Sequence, residues 1–219
     1  MDYYEIQSNK ELRACAREQL NGVWGKMAFA FFVMFLIYLP YYLLSVIDGI
    51  YMFQLQEPVF SEITKVLYIF LLIANGPFSL GFAGYFLKRV RNEEFSTKNI
   101  FDGFKRFFPS FALMILTAIF IFLWSLLLII PGIIKSLSYS MAFYIMYDNP
   151  EIEPLEALEK SQIMMKGYKW KLFLLLLSFI GWALLVLLTL GIGYFWLLPY
   201  IYLSIANFYE NLKISQEKI

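Results

Sequence analysis

Polar side chains inside long apolar stretches are the residues of this sequence that could carry chemistry. Asn75 precedes Gly76-Pro77 in the stretch 63–87, about 12 residues and therefore roughly 18 Å from its start. Proline lacks a backbone N–H and glycine loosens a helix, so carbonyl groups are freed that lipid cannot satisfy. One interpretation is a broken helix that lines a polar cavity, as in transporters. The other is a packing kink in which Asn75 bonds to a neighbouring helix.

Lys135 is the second candidate of this kind, about one turn inside the outer end of the stretch 133–148. An ionisable residue within a membrane helix is a functional candidate by default. A lysine this close to the boundary can instead extend its ammonium group to lipid phosphates, and we favour that interpretation. Asn75, Gly76, Pro77 and Lys135 are thus the candidate cavity or helix-break residues.

The residue types that most catalytic and metal sites require are missing or exposed. The chain has no histidine and one cysteine, Cys15, which excludes an internal disulfide, Ser-His and Cys-His pairs, and the usual ligands of zinc, copper and haem. We expect Asp148 and the glutamates of 151–159 to be too exposed for a buried carboxylate pair, and they lack the spacing of a calcium loop. The sequence therefore predicts no enzyme, no catalytic residue, no metal and no cofactor.

The elements that must position these residues are membrane-spanning helices. Hydrophobic residues make up 60% of the chain and charged residues 16%, whereas soluble domains are about 45–50% apolar and about 25% charged. A spanning helix needs about 20 mostly apolar residues. Six stretches qualify: 23–47, 63–87, 109–130, 133–148, 171–190 and 192–209. The fourth would rise only about 24 Å, so five crossings are the alternative.

The distribution of basic residues indicates how these spans are oriented. Lysine and arginine near span ends are retained on the cytoplasmic side, and all 18 basic residues except Lys65 and Lys135 fall on one side of a six-span arrangement. We therefore predict a protein of the cell membrane with both termini in the cytoplasm; five spans would force the C-terminus outside. The net charge of +1 gives no basic field that would attract nucleic acid.

Three segments on the predicted cytoplasmic side have apolar residues at helical spacing: 8–22, 96–108 and 154–167. The first opens with a capping-box pattern from Ser8 to Glu11. The second has a wide apolar stripe and should lie flat on an anionic lipid surface. That stripe comprises Ile100, Phe101, Phe104, Phe107 and Phe108. The third begins at Pro154, is more mixed in polarity, and is expected to pack on protein instead.

A threefold internal repeat would unite these segments in a single all-α membrane domain covering 1–219. Each unit would comprise an amphipathic helix, a glycine, a spanning helix, an outer connection, and a second spanning helix with a proline. The glycines are Gly22, Gly103 and Gly167, and the prolines are Pro77, Pro131 and Pro199. Aligning the units requires gaps, and the alternative is that small residues and prolines are simply common in packed membrane helices.

Several runs of residues resemble the DUF975 family of integral membrane proteins. They are Asn21-Gly22-Val23-Trp24-Gly25-Lys26, Pro131-Gly132 through Met141, Asp148-Asn149-Pro150 to Leu158, Met164 through Lys171, and Leu190-Gly191-Ile192-Gly193 leading to Pro199-Tyr200. The resemblance covers nearly the whole chain and implies a family of unknown function with no assigned catalytic residues. The sequence is also distantly similar to the membrane domain of some glycerophosphodiester phosphodiesterases. Their catalytic domain is not found in these residues, so we expect no such activity.

The sequence thus predicts a non-enzymatic polytopic membrane protein that acts on or through membrane lipids, or on other membrane proteins. The alternative is a small secondary transporter or channel-like carrier built around a broken second span. The sequence itself names no substrate.

Overall fold

The structure, a computed structural model, describes residues 6–55 and 58–217. Within these ranges the chain forms ten α-helices and one 3₁₀ helix, η1, and no strand. The elements in chain order are α1 (Asn9–Leu20), α2 (Trp24–Leu55), α3 (Ser61–Val90), η1 (Thr97–Arg106), α4 (Phe107–Leu127), α5 (Ile129–Tyr139), α6 (Ala142–Asp148), α7 (Pro154–Met164), α8 (Lys169–Leu177), α9 (Ile180–Leu188) and α10 (Tyr194–Glu217). Lys218, which belongs to the orientation prediction, lies outside the described residues.

Five helical segments of the described chain are long and apolar enough to cross a membrane. They are Trp24–Gln54, Ser61–Val90, Thr97–Leu127, Ile129–Asp148 and Lys169–Leu188. They confirm, for the described residues, the prediction of an all-helical fold with helices long and apolar enough to span a membrane. The stretch 133–148, the weakest of the predicted spans, lies in the fourth of these segments. The predicted sixth span, 192–209, forms most of α10, which is not apolar enough to belong to this set.

The lower hydropathy of α10 follows from its position among the other helices. It packs against α1, α2 and α3, and its Leu203, Ala206 and Phe208 are fully buried. By contrast, α9 buries none of its residues. A helix surrounded by protein can carry polar and small side chains, whereas one that faces lipid must be apolar over its outer surface.

Helix α1 begins as the sequence predicts. The Ser8 hydroxyl accepts a hydrogen bond from the Glu11 N–H at 3.3 Å, and the Glu11 carboxylate accepts one from the Ser8 N–H at 2.7 Å. This capping box satisfies two N–H groups that the first turn leaves free, and the bonding with Ser8 lowers the pKa of Glu11. Leu12, Ala16 and Leu20 are fully buried, so the apolar face of the helix packs on the bundle.

The segment predicted to lie flat on lipid, 96–108, packs substantially on protein. Its central part is η1, in which Ile100 is fully buried and Phe101 is 43% exposed. The rings of Phe101 and Phe104 contact the Phe78 ring of α3 edge-on, with centroids 5.7 and 5.0 Å away. The apolar stripe is therefore divided between α3 and the outer surface, because α3 offers a surface that the sequence pattern could not reveal.

Candidate functional site

The predicted interruption at Asn75-Gly76-Pro77 is absent from the structure. Helix α3 runs as one α-helix of 30 residues, with Pro77 inside it. The prediction was wrong in this respect because a proline removes only one backbone donor, and a long helix held on both sides can tolerate that loss.

Glycines next to Pro77 let α3 approach its neighbours at backbone distance. A methyl group placed on Gly76 would overlap the backbone of Ser110 in α4, and one placed on Gly81 would overlap the Ile100 carbonyl of η1. Gly103 of η1 in turn lies against the Pro77 carbonyl. Gly76-Pro77 therefore belongs to a close helix crossing, the kind of contact that small residues permit in membrane proteins.

The Asn75 side chain lies apart from this crossing and is exposed. Its Oδ1 atom accepts a hydrogen bond of 3.4 Å from the Ser79 hydroxyl, one turn later on the same helix. Asn75 and Ser79 both line a cavity of about 660 Å³. The amide thus faces open space inside the bundle, and no bond from it to another helix is found among the described residues.

This cavity is bounded by side chains of α2, α3, α5, α6, α8 and α10. Its lining is Phe31, Met34, Tyr38, Asn75, Phe78, Ser79, Phe82, Ala83, Ser136, Leu137, Ser140, Phe143, Tyr144, Leu172, Leu176, Tyr194, Tyr202 and Ile205. None of these residues is charged. Most are apolar or aromatic, and the polar ones carry amide or hydroxyl groups, so the space suits an apolar ligand with a few neutral polar atoms.

The fourth span is interrupted, since α5 ends at Tyr139 and α6 begins at Ala142. Ser161 of α7 is fully buried beside this break. Its hydroxyl donates a hydrogen bond to the Ser138 carbonyl at 2.7 Å and accepts one from the Met141 N–H at 3.2 Å. One side chain of a neighbouring helix thus satisfies two backbone groups that the break leaves free.

Lys135 lies in α5 and does not line the cavity. Its ammonium group donates a hydrogen bond of 2.8 Å to Gln162 of α7 and lies 4.8 Å from the centre of the Trp124 ring. The sequence predicts Lys135 near the outer end of its span and 154–167 on the cytoplasmic side. A direct bond between them shows that the two are not at opposite faces, because α7 packs along α4, α5 and α6.

An ion-pair network links three helices, α3, α6 and α10. The Arg91 guanidinium, just after α3, donates two hydrogen bonds of 2.8 and 2.7 Å to the Asp148 carboxylate at the end of α6. It donates two more, of 3.2 and 2.8 Å, to the Glu210 carboxylate of α10. Lys213 and the Tyr209 hydroxyl donate to Asp148 at 2.7 and 3.0 Å. The bonds to Asp148 and Glu210 hold the pKa of Arg91 above its ordinary value, against the opposing effect of burial.

Asp148 is the centre of this network, and the expectation that it is exposed was wrong. Its side chain is 7% exposed. The glutamates that follow it differ, since Glu156 forms a pair with Lys160 in which both side chains are half exposed. In the described part of the chain, no group of three or more histidine, cysteine, aspartate or glutamate side chains could hold a metal ion.

Comparison with known proteins gives a family and no function. The profile of a protein family of unknown function, DUF975, matches residues 1–135 and 125–216, nearly the whole chain. The chain belongs to the DUF975 family. No functionally curated protein and no solved structure matches it.

Two polar contacts of this DUF975 protein escaped sequence reasoning. Arg91 and Asp148 lie 57 residues apart, and nothing in their spacing indicates that they pair. Asn207 is 5% exposed and forms two amide hydrogen bonds of 3.1 and 2.7 Å with Gln19 of α1. The available signal was the position of these residues near the predicted ends of spans two, four and six, which a six-span arrangement brings to one side.

Proposed function

We propose that this DUF975 protein is a non-enzymatic protein of the cell membrane that binds a membrane lipid, or a similar neutral amphiphile, in the cavity beside Asn75. The observation that carries the proposal is the lining of that cavity. It offers about 660 Å³ without a charged side chain, which is within the usual range of about 300–1,000 Å³ for ligand sites. The similarity to the membrane domain of glycerophosphodiester phosphodiesterases stays a prediction and does not bear on this site.

The proposal includes six crossings, with α10 as the sixth. Helix α1 precedes the first span, and its Gln19 bonds to Asn207 in the second half of α10. Helix α1 and the second half of α10 therefore lie side by side, which supports an even number of crossings between them. Five apolar segments and α10 make six. The bias of basic residues supports the cytoplasm as that side.

A threefold plan of the chain also belongs to the proposal. Gly22 and Gly167 have φ angles of 75° and 88°, the left-handed region that glycine adopts readily, at equivalent points after α1 and α7. Gly103 does not have a positive φ angle; it instead allows η1 to lie against the Pro77 carbonyl of α3. The ends of α3 and α6 meet α10 through Arg91 and Asp148, as equivalent ends of three units would.

The lipid proposal can be tested with the protein extracted in a mild detergent and examined by native mass spectrometry. We expect one lipid to be retained in the cavity. Ser79→Phe places a ring in the cavity and should remove this lipid. Ala118→Phe, which likewise replaces a small side chain by a ring but at an exposed position of α4 outside the cavity, should not. If both variants retain as much lipid as the unsubstituted protein, although all three unfold at similar temperatures, the cavity is not a lipid site.

A secondary transporter is the second candidate, and the neutral polar groups in the cavity favour it. Asn75, Ser79, Ser136 and Ser140 come from two spans and give the space a hydrophilic part. Uptake of labelled neutral solutes into vesicles that contain the reconstituted protein tests the transporter hypothesis. Uptake above that of protein-free vesicles, abolished by Ser79→Phe, would favour transport; a retained lipid without uptake would favour the first proposal.

The proposed orientation is tested by cysteine labelling. In intact cells a membrane-impermeant thiol reagent should leave Glu18→Cys in α1 unlabelled and should label Val59→Cys in the loop before α3, each in a Cys15→Ser background. Both positions are exposed. The opposite labelling pattern would reverse the proposed orientation.

A further inference from the structure

A second groove, of about 340 Å³, lies between α1, the start of α2, α9 and α10. It shares no lining residue with the cavity beside Asn75. Three of the five tryptophans of the chain, Trp24, Trp182 and Trp196, line it, together with a single charged residue, Arg17. The concentration of tryptophan is notable, because this side chain favours the boundary between lipid chains and headgroups.

The two ends of this groove differ in character. Helices α9 and α10 are joined by the short turn 189–193. Phe179 precedes the first residue of α9, at the end of that helix far from the turn, and its ring contacts the Tyr200 ring edge-on with the centroids 4.9 Å apart. Tyr200 therefore lies at the end remote from the turn, and Arg17 and Arg13 are close enough to interact with it electrostatically. From Tyr200 to Gly193 the groove extends over seven residues of chain, or about 10 Å of helix. One end is cationic and the rest is apolar.

The polar groups at the cationic end lack partners in the protein. Arg17 is exposed and forms no ion pair or hydrogen bond among the described residues. Tyr200 is 5% exposed, and its hydroxyl likewise bonds to no group in the described part of the chain. The hydroxyl oxygen itself is accessible, so it is open to the groove and can donate a hydrogen bond to a ligand there. Arginine is suited to phosphate, because its planar guanidinium can donate two hydrogen bonds at once.

We propose that this groove binds an anionic phospholipid of the membrane. Its phosphate accepts hydrogen bonds from Arg17 and the Tyr200 hydroxyl, and one acyl chain lies along α9 and α10, between Trp182, Trp196 and Leu197. Charge complementarity decides the occupant. A purely apolar helix of a partner protein would leave Arg17 unpaired, and a zwitterionic lipid would bring its own cation to the same end. The site goes beyond the proposed function, and either can fail without the other.

The experiment uses the tryptophans of the groove as reporters. In the full chain with Trp124→Phe and Trp170→Phe, all remaining tryptophan fluorescence comes from the groove. This variant is reconstituted in phosphatidylcholine vesicles, and its tryptophans are excited selectively. Equal small fractions of phosphatidylglycerol or phosphatidylcholine with brominated acyl chains are then added as quenchers. We expect stronger quenching by the brominated phosphatidylglycerol. Arg17→Gln should weaken that preference about tenfold, as the loss of one charge-assisted hydrogen bond implies.

Matched variants separate this site from general attraction to an anionic surface. Lys98→Gln removes one exposed positive charge elsewhere and should keep the preference, as should Arg17→Lys, which keeps the charge. Equal quenching by the two brominated lipids, or a preference that survives Arg17→Gln, would overturn the proposal. So would loss of the preference on adding inorganic phosphate alone, which would indicate a site for a soluble anion. Thermal unfolding in detergent verifies that each variant is folded.

Discussion

Two spans of the bundle, α3 and the α5–α6 pair, differ in whether their helix is continuous. Helix α3 contains Gly76-Pro77 and still runs as one helix of 30 residues. The α5–α6 pair has neither proline nor glycine at Ser140-Met141, and there it is interrupted. The two also differ in what lies beside them, since α3 meets backbone of η1 and α4 at its glycines, whereas the break in the fourth span meets the Ser161 hydroxyl of α7.

This difference shows what permits a helix to break within an apolar bundle. Backbone groups that leave the helical pattern must find partners inside the protein, because lipid offers none. The span formed by α8 and α9 is also interrupted, between Leu177 and Ile180. At that junction Arg13 of α1 donates a hydrogen bond of 3.5 Å to the Ser178 carbonyl. A break therefore appears where a neighbouring segment supplies donors and acceptors, and the position of proline is a poor guide to it.

The largest expected effect concerns the close crossing of α3 and η1. Gly103→Leu would force a side chain into the Pro77 carbonyl and the Gly81 N–H, which are backbone atoms that cannot turn aside. We expect a loss of about 3 kcal/mol or more in the free energy of unfolding, at or beyond the upper part of the usual range for overpacking. Thermal unfolding in detergent, or the yield of monodisperse protein, measures it.

Gly49→Ala provides the control for that change. Gly49 lies in α2 with no atom within 4 Å of an added methyl group, so alanine there should stabilise the helix by about 0.5–1 kcal/mol. If Gly103→Leu proved as harmless as Gly49→Ala, α3 and η1 would not be in close backbone contact, and that contact could not explain why α3 stays continuous.

Asp148→Asn should have the next largest effect, because the end of α6 is tied to α3 and α10 through this carboxylate. The change leaves Arg91 and Lys213 without their main acceptor. Removing one member of a buried pair costs roughly 3–5 kcal/mol, and the partial exposure of Arg91 and Lys213 reduces our expectation to about 2–3 kcal/mol. Glu156→Gln, in an exposed pair with Lys160, should cost less than about 0.5 kcal/mol. Equal costs would contradict a structural role for the network.

Ser161→Ala tests how the break in the fourth span is stabilised. It leaves the Ser138 carbonyl and the Met141 N–H without their partner, and we expect a loss of about 1–2 kcal/mol. Ser204→Ala is the matched control. Ser204 is equally buried, but its hydroxyl only adds a second bond to the Tyr200 carbonyl of its own helix, so little should change. A neutral Ser161→Ala would mean that the break needs no outside partner.

Sequence reasoning could predict the helices that have local causes. The capping box at Ser8 and Glu11, the start of α7 at Pro154, and the apolar spans all follow from neighbouring residues. The break at Ser140-Met141 could not be predicted, because it depends on Ser161, 20 residues away in the chain.

The candidate site was predictable in part for the same reason. Asn75 was singled out as a polar residue in an apolar stretch, and it does line a cavity. Lys135 does not line it, and its partner Gln162 follows from the packing of α7 instead. The pairing of Arg91 with Asp148 depends on how α3, α6 and α10 pack together, which no local sequence pattern indicates.

The smallest expected effect on stability is that of Asn75→Ala, although Asn75 is the most conspicuous polar residue of α3. A polar residue that bonds to a neighbouring membrane helix contributes roughly 0.6 kcal/mol on average and at most about 2 kcal/mol. The only bond of Asn75 among the described residues is one of 3.4 Å to Ser79 of its own helix, and its side chain is exposed to the cavity. We therefore expect a change within about 0.5 kcal/mol, measured by thermal unfolding beside Ser79→Ala. A loss above about 1 kcal/mol would reveal a bond to another helix and would favour the interpretation of Asn75 as a packing residue. If stability is unchanged, any effect of Asn75→Ala on the retained lipid or on solute uptake must come from the cavity itself. Thermal unfolding together with lipid retention or uptake therefore distinguishes a residue that stabilises the fold from one that contacts a ligand.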